Sequence, residues 1–443
     1  MRAMAFFLAV LAIAWPPGIA SAEAPNCSKL PPVDPETTNH SKSSWPDSPG
    51  SYDLSFLWNL ALHHHPELQQ LEAEVEAARG KVIQAGRYPN PRVLYEQEEL
   101  GAAVAPAGTI RLHVNQEIVT GGKRKLDRAI AGQSLEEAFV RLAGKRFEIQ
   151  TRIRRGFYEY IGWIEAVGVS NQAVESLQKS VETTRQLVER VKTRPVTDLL
   201  RLEALLEEAK INQARSRISL DNSWRQLAVE TGVTELPPPS NVEMLKEPLR
   251  LESEERVVER LLEVHTELRQ AEILVQQASM EIRRAKAEAI PNIQVGGGYI
   301  WNFVERAPGG IVSVETPLPV WDRKQGRIYE AQARLAQSLA IKASVENRLR
   351  RETAALYASY QSLKVQVERL QNQVLPKQQQ SLALVRTGYE AGAPQITFAD
   401  VLLGEATISD TRLKLATAKR ELWRALADVQ GMMQVDIKQE TGK

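Results

Sequence analysis

His63-His64-His65 is the stretch of this chain that most invites a metal-ligand reading, because imidazole is a ready ligand for zinc and its transition-metal neighbours. Three consecutive histidines at a helix start project in different directions, no cysteine accompanies them, and Pro66 follows at once. His265 recurs alone about 200 residues later, where His265-Thr266-Glu267-Leu268 answers to His65-Pro66-Glu67-Leu68. The recurrence favours a structural role, and no metal site is assigned. No nucleophile paired with a base, no phosphate-cradling loop and no clustered ligand set stands out, so neither enzyme activity nor a cofactor is expected. Two further groups of polar residues carry charge in a pattern. Arg111, His113, Asn115 and Glu117 alternate with Ile110, Leu112, Val114 and Ile118, and Asp198 and Asp400 stand near helix N-caps, where a carboxylate suits the dipole.

The chain that must position these residues is exported. Arg2, an apolar run from Met4 to Ala14, a Pro16-Pro17-Gly18 breaker and Ala20-Ser21-Ala22 make a signal peptide over residues 1–22. No later run reaches the roughly 20 apolar residues of a membrane helix. Cys27 is the only cysteine, so no internal disulfide can form, and Ala24-Pro25-Asn26 lacks the residues that lipid attachment would want. The segment 23–52 is rich in Pro and Ser and reads as an arm without a core of its own. Lys plus Arg number 56 against 55 Asp plus Glu, and no basic tract breaks the balance, which removes the electrostatic case for nucleic acid.

Long helices dominate the mature chain. From Leu126 to Val191 two series spaced by seven, one through Leu135, Leu142 and Ile149 and the other through Ile153, Tyr160 and Val174, form a narrow apolar seam with no proline. Such a helix is roughly 100 Å long and needs partners along its whole length. A second seam runs from Gln325 to Thr387 through Leu335, Leu349, Leu356 and Leu363, and Pro376 predicts a kink. The two belong to one duplicated plan, since Tyr88-Pro89-Asn90 matches Ile290-Pro291-Asn292, 114–124 matches 314–324, and Trp224–Gly232 matches Trp423–Gly431. The spacing predicts a first repeat over 53–234, a linker over 235–254, a second repeat over 255–434 and a tail over 435–443. Each repeat reads helix, strand pair, long helix, returning helix. The first helices span about Pro66 to Gly86 and Glu255 to Ala289, and the returning helices about Asp198 to Thr231 and Asp400 to Gln430.

The strands, about Arg92 to Leu100, Ile110 to Ile118, Ile293 to Phe303 and Val312 to Leu318, alternate apolar and polar side chains and have roughly the length that crosses a bilayer when tilted. Four strands cannot close a barrel, and an open edge is not tolerated in lipid, so closure would need several chains. Periodicity alone leaves open two, three or four chains. It also leaves open two water-exposed hairpins packed on helices.

The duplicated plan resembles the TolC family of outer-membrane efflux channels, through Tyr88-Pro89-Asn90-Pro91, the junction Gln116-Glu117-Ile118-Val119-Thr120-Gly121-Gly122-Lys123-Arg124, and Gly388-Tyr389-Glu390-Ala391-Gly392 with Asp400-Val401-Leu402. The junction and the Pro-Asn-Pro turn are most similar to the CzcC-like cation-efflux branch. The resemblance implies a mainly α fold with β: a homotrimer whose strands make one 12-stranded transmembrane β-barrel, continuous with a 12-helix periplasmic α-barrel. It implies a passive duct in outer-membrane lipid, served by a periplasmic adaptor and an inner-membrane resistance-nodulation-division pump, with metal cations favoured over drugs. Asp400, Tyr389, Glu390, Gly392 and Asp198 would lie at the periplasmic entrance, and Arg111, His113, Asn115 and Glu117 would face the lumen. Pro394, Gln395 and Leu403 depart from relatives, so no residue-specific latch carries over. The alternative from another class, resting on the heptads alone, is a periplasmic coiled-coil tether or adaptor without a pore.

Overall fold

The computed structural model describes residues 52–98, 108–186, 188–189, 195–239, 251, 253–391 and 395–436. The signal peptide, nearly all of the arm, most of the linker, the end of the tail and Gly392 lie outside the described residues.

The first repeat opens with a helix that the heptad pattern does not announce, α1 (Leu54–His64). Asp53 caps it, accepting the Phe56 N–H at 2.8 Å, and Leu54, Leu57, Trp58 and Ala61 bury one face. Helix α2 (Pro66–Ala85) follows after a one-residue break at His65. Strands β1 (Arg92–Glu98) and β2 (Thr109–Ile118) lead to α3 (Lys123–Gln186), and α4 (Val196–Glu230) returns along it. The second repeat holds α5 (Glu254–Val264), α6 (Thr266–Glu288), β3 (Ile293–Asn302), β4 (Ala307–Glu315), α7 (Gln325–Arg369), α8 (Leu375–Glu390) and α9 (Phe398–Met432).

Three differences from the sequence expectations have physical causes. The helix expected over 255–289 is two helices, because His265 takes extended backbone at ψ 128° and closes α5 with its N–H on Leu261. In the first repeat Pro66 has no N–H to satisfy at this break. Thr266 does have one, and Gln434 accepts it at 3.2 Å while donating to the Thr266 hydroxyl at 2.7 Å. The alternation expected to Leu318 stops at Glu315, since Pro317 and Pro319 cannot donate to a ladder. The kink expected at Pro376 is a π-helical turn over Leu370–Val374, which accommodates a ring that would collide with the carbonyl four residues back. Asp198 and Asp400 stand beside their N-caps as expected: Pro195 and Thr397 are the caps, and each aspartate is the third residue of its helix.

The four strands form one antiparallel sheet in the order β1-β2-β3-β4, so the two hairpins are joined through the β2–β3 ladder, in which Leu112 faces Tyr299. All helices attach at the end of the sheet where Arg92, Ile118, Ile293 and Glu315 lie. Helix α3 is the shared spine: it packs on α2 and α6 along the half nearer the sheet and on α4 and α9 further away. The heptad series supplies its buried face, with Leu142, Ile149, Ile153, Tyr160, Val174 and Val181 all buried. Phe139, on the same series, is exposed and lies under Arg79, whose guanidinium is 5.6 Å from the ring centroid. One apolar cluster consolidates the second repeat and another joins the two repeats. Tyr360, Leu415, Leu422 and Leu426 pack α7 on α9, and Val174, Leu202, Leu206 and Leu402 pack α3, α4 and α9 together.

Candidate channel wall and entrance

The sheet separates its side chains by chemistry. On one face the register brings Val93, Val114 and Gly297 into a row with Val312, and Tyr95, Leu112 and Tyr299 into the next. The valines of this face are bare in the single chain: Val93 is 70 % exposed, Val314, one row further on, 69 % and Val312 83 %. A water-facing surface of this kind is unfavourable, and lipid is the solvent that suits it. The opposite face carries all four alternating polar residues, Arg111, His113, Asn115 and Glu117. Arg111 pairs with Glu98 across the strand. His113 and Asn115 stand opposite Gly298 and Gly296, where a Cβ would collide with them, so the polar face is glycine-thinned where its own side chains are large. Strands β1 and β4 are edges, and among the described residues nothing pairs with their outer sides.

Where the sheet meets the helices, one side chain gathers the junction. Asn292 accepts from Lys123 Nζ at 2.6 Å and from the Thr120 N–H at 3.4 Å, and donates to Glu117 at 2.6 Å. Lys123 is buried and also reaches the Ile290 carbonyl at 2.6 Å. Gly121 and Gly122 turn the chain into α3 with φ of +65° and +67°, and a Cβ on Gly121 would press on the Ala287 carbonyl and Ile290. Sequence similarity singles out both motifs, 116–124 and Pro291-Asn292, but does not reveal that they hold one another.

At the other end of the helices Asp400 closes a capping box. Its Oδ2 accepts the Thr397 N–H and the Thr397 hydroxyl, both at 2.7 Å, and these bonds hold its carboxyl below its ordinary pKa. The carboxylate is exposed. Asp198, its counterpart in the first repeat, is buried. Tyr389 packs on Phe398 with ring centroids 5.9 Å apart, tying the end of α8 to the start of α9. Glu390 ends α8. An ion pair that spacing does not disclose, Arg386 with Glu405, links the same two helices. It borders a cavity of ≈ 420 Å³ between α3–α4 and α8–α9, which Ser176, Asn212 and Leu382 also line.

His65 and His265 are helix N-caps: each Nδ1 accepts the N–H two residues on, from Glu67 and Glu267, at 3.3 Å. Burial lowers both pKa values, which keeps the rings neutral and able to accept. His63 and His64 end α1, and among the described residues no group of three or more His, Cys, Asp or Glu could hold a metal ion. No helix among those residues is long and apolar enough to cross a membrane.

A chain with an amphipathic four-stranded sheet at one end of long paired helices has the build of an envelope channel. The model of the outer membrane efflux protein family matches it twice, over residues 57–233 and 257–433, and the chain belongs to that family. It is an outer-membrane efflux channel built of two repeats, mainly α with β. Among curated relatives it is similar to the cobalt-zinc-cadmium resistance protein CzcC of Cupriavidus metallidurans, 23 % identical over 93 % of this chain and 95 % of the relative. Solved structures share the fold. CusC, in a study of transmembrane channel formation, matches with TM-score 0.72 at 17 % identity over 86 % of this chain and 91 % of its own. The outer-membrane channel OprN matches with TM-score 0.73 at 16 % identity over 86 % and 90 %. The open state of the MtrE channel of Neisseria gonorrhoeae matches with TM-score 0.69 at 17 % identity over 86 % and 88 %.

Proposed function

We propose that three copies of this chain close their sheets into one 12-stranded barrel in the outer membrane, and that their helices continue it as a 12-helix duct through the periplasm. The observation that carries this reading is the open sheet, with one bare apolar face and two unpartnered edge strands. Lipid demands that every backbone N–H and C=O be paired, and only joining β4 of one copy to β1 of the next satisfies both edges. Three copies rather than two or four follow from the family resemblance. The apolar rows then face lipid, and Arg111, His113, Asn115 and Glu117 line the water-filled lumen. Asp400, Tyr389, Glu390 and Asp198 lie at the periplasmic tip, where three Asp400 carboxylates form a ring favouring cations and resisting closure by mutual repulsion.

The duct supplies no energy. It receives its cargo from an inner-membrane resistance-nodulation-division pump through a periplasmic adaptor, and the likeness to CzcC favours divalent metal cations as that cargo over drugs. Native mass spectrometry of the detergent-extracted protein, with planar-bilayer recordings on the same sample, tests the reading. A mass of three chains with stepwise conductance is expected. A monomer without conductance would return the chain to the class of periplasmic tethers.

A further inference from the structure

The helix-proximal end of the sheet carries a charge that the whole chain does not. Residues 86–92, 117–130, 281–292 and 315–330 hold twelve Lys or Arg against seven Asp or Glu, while the full sequence is balanced to within one charge. The acids there are largely occupied. Asp127 takes Arg284 at 2.5 Å, Glu288 takes Arg284 at 3.1 Å and Arg327 at 2.5 Å, and Asp322 takes Lys324 at 2.5 Å. Arg87, Lys125, Arg128, Arg283, Lys286 and Arg323 are exposed and make no ion pair among the described residues. All six lie within ten residues of a strand end. The far end of the sheet has the opposite character, with Glu96, Glu98 and Glu305 against Arg111 and Arg306.

Aromatic groups stand in the same segments. Trp321 is 88 % exposed on the strap between β4 and α7, beside Leu318 at 77 % and Val320 at 57 %, and Tyr329 at the start of α7 and Tyr88 just before β1 are also exposed. Tyr88 stacks under Arg124, 3.1 Å from guanidinium to ring centroid. A tryptophan left almost wholly outside the protein suits a boundary where its ring meets acyl chains and its N–H meets water. The strap is continuous with the bare apolar face above it.

We propose that this collar binds the headgroups of anionic phospholipids in the leaflet facing the helices, the basic side chains taking the phosphates and Trp321 anchoring in the acyl boundary. The proposal rests on the reading that the sheet lies in the outer membrane. Charge complementarity selects phospholipid, because the uncompensated cations sit where the apolar band ends and headgroups begin.

The test uses the full chain, extracted and stripped of lipid in neutral detergent, then titrated with phosphatidylglycerol or phosphatidylcholine and read by native mass spectrometry. Phosphatidylglycerol should be retained about tenfold better by the unaltered protein. The combined variant Arg87→Gln, Lys125→Gln and Arg323→Gln should lose that preference, and Trp321→Ala should lower retention of both lipids. Lys179→Gln with Lys210→Gln, far along α3 and α4, should change nothing. Equal retention of the two lipids, or full preference in the triple variant, would overturn the collar. So would displacement by millimolar inorganic phosphate, which marks an ion site, or loss of the oligomer in the triple variant, which marks a protein interface. Unaltered protein that partitions with membranes yet lacks the preference defeats the collar alone. Unaltered protein that stays soluble defeats the membrane reading beneath it.

Discussion

Asp400 has a structural role and, in the proposed duct, a second one. Its hydrogen bonds to Thr397 fix the first turn of α9, and its exposed charge is what the proposed entrance ring requires. Asparagine in its place keeps an oxygen for the Thr397 N–H and removes the charge. Asp400→Asn is therefore expected to leave the circular dichroism and the oligomer unchanged while weakening cation preference in single-channel reversal potentials. Asp400→Ala should disturb both. Because the folded carboxyl titrates below its ordinary value, the preference should persist through mild acid and fade only below about pH 4. The histidine caps give the opposite pH range. Their folded pKa values are depressed, so the unfolded chain binds the extra protons, and the stability they confer is complete above about pH 6.5 and lost as pH falls through the folded values. The charged groups around them, Glu67, Glu230, Arg152 and Lys145 at His65, and Glu267, Glu352 and Arg348 at His265, act on both sides of that balance. Asn is a good cap that does not titrate. The double variant His65→Asn, His265→Asn should flatten the decline of Tm as pH falls below about 6.5.

The junctions decide whether the elements can work together. Strand and helix meet through Asn292, and its loss would leave the buried Lys123 ammonium with the Ile290 carbonyl alone. Asn292→Ala is expected to cost about 1.5–3 kcal/mol, the usual range for a hydrogen bond to a charged group, measured as a lower thermal midpoint of the extracted protein. Gly121→Ala imposes a left-handed conformation costing about 1–2 kcal/mol and a contact with the Ala287 carbonyl besides. It should reduce the amount of assembled protein recovered from the membrane. At this scale the sequence is legible where periodicity is strong. The seam of α3 translates directly into a buried face, that of α7 is buried at Leu349 and half-buried at Leu335, Leu356 and Leu363, and the strand alternation divides the sheet into an apolar and a polar face. Helix α1 escapes because its 11 residues are too few for a heptad series to declare itself, although Asp53 and the spacing of Leu54, Leu57, Trp58 and Ala61 are there to be read. The break at His265 escapes because the residue that satisfies Thr266, Gln434, is 168 positions away.

For the molecule as a whole the two faces of the sheet make separable predictions. Val312→Arg on the bare apolar face is expected to cost about 2–4 kcal/mol near the bilayer centre, and membrane fractions should hold correspondingly less protein. Arg111→Gln, on the polar face, should leave insertion unchanged and alter only conductance or ion preference. Equal loss of insertion from both would mean that the faces do not divide lipid from water.

The sequence by itself determined the duplication, the long helices and the alternation that gives each strand one polar and one apolar face. All of these rest on local spacing, because a helix or strand sorts its side chains by a period that needs no partner. Only the tertiary structure decided that the two hairpins share one sheet, that Asn292 binds the two repeats at the membrane end, that His65 and His265 are caps, and that Asp400 sits third in its helix beneath Thr397. Those facts depend on groups distant in sequence or on the backbone angles of single residues, and no period in the chain records either.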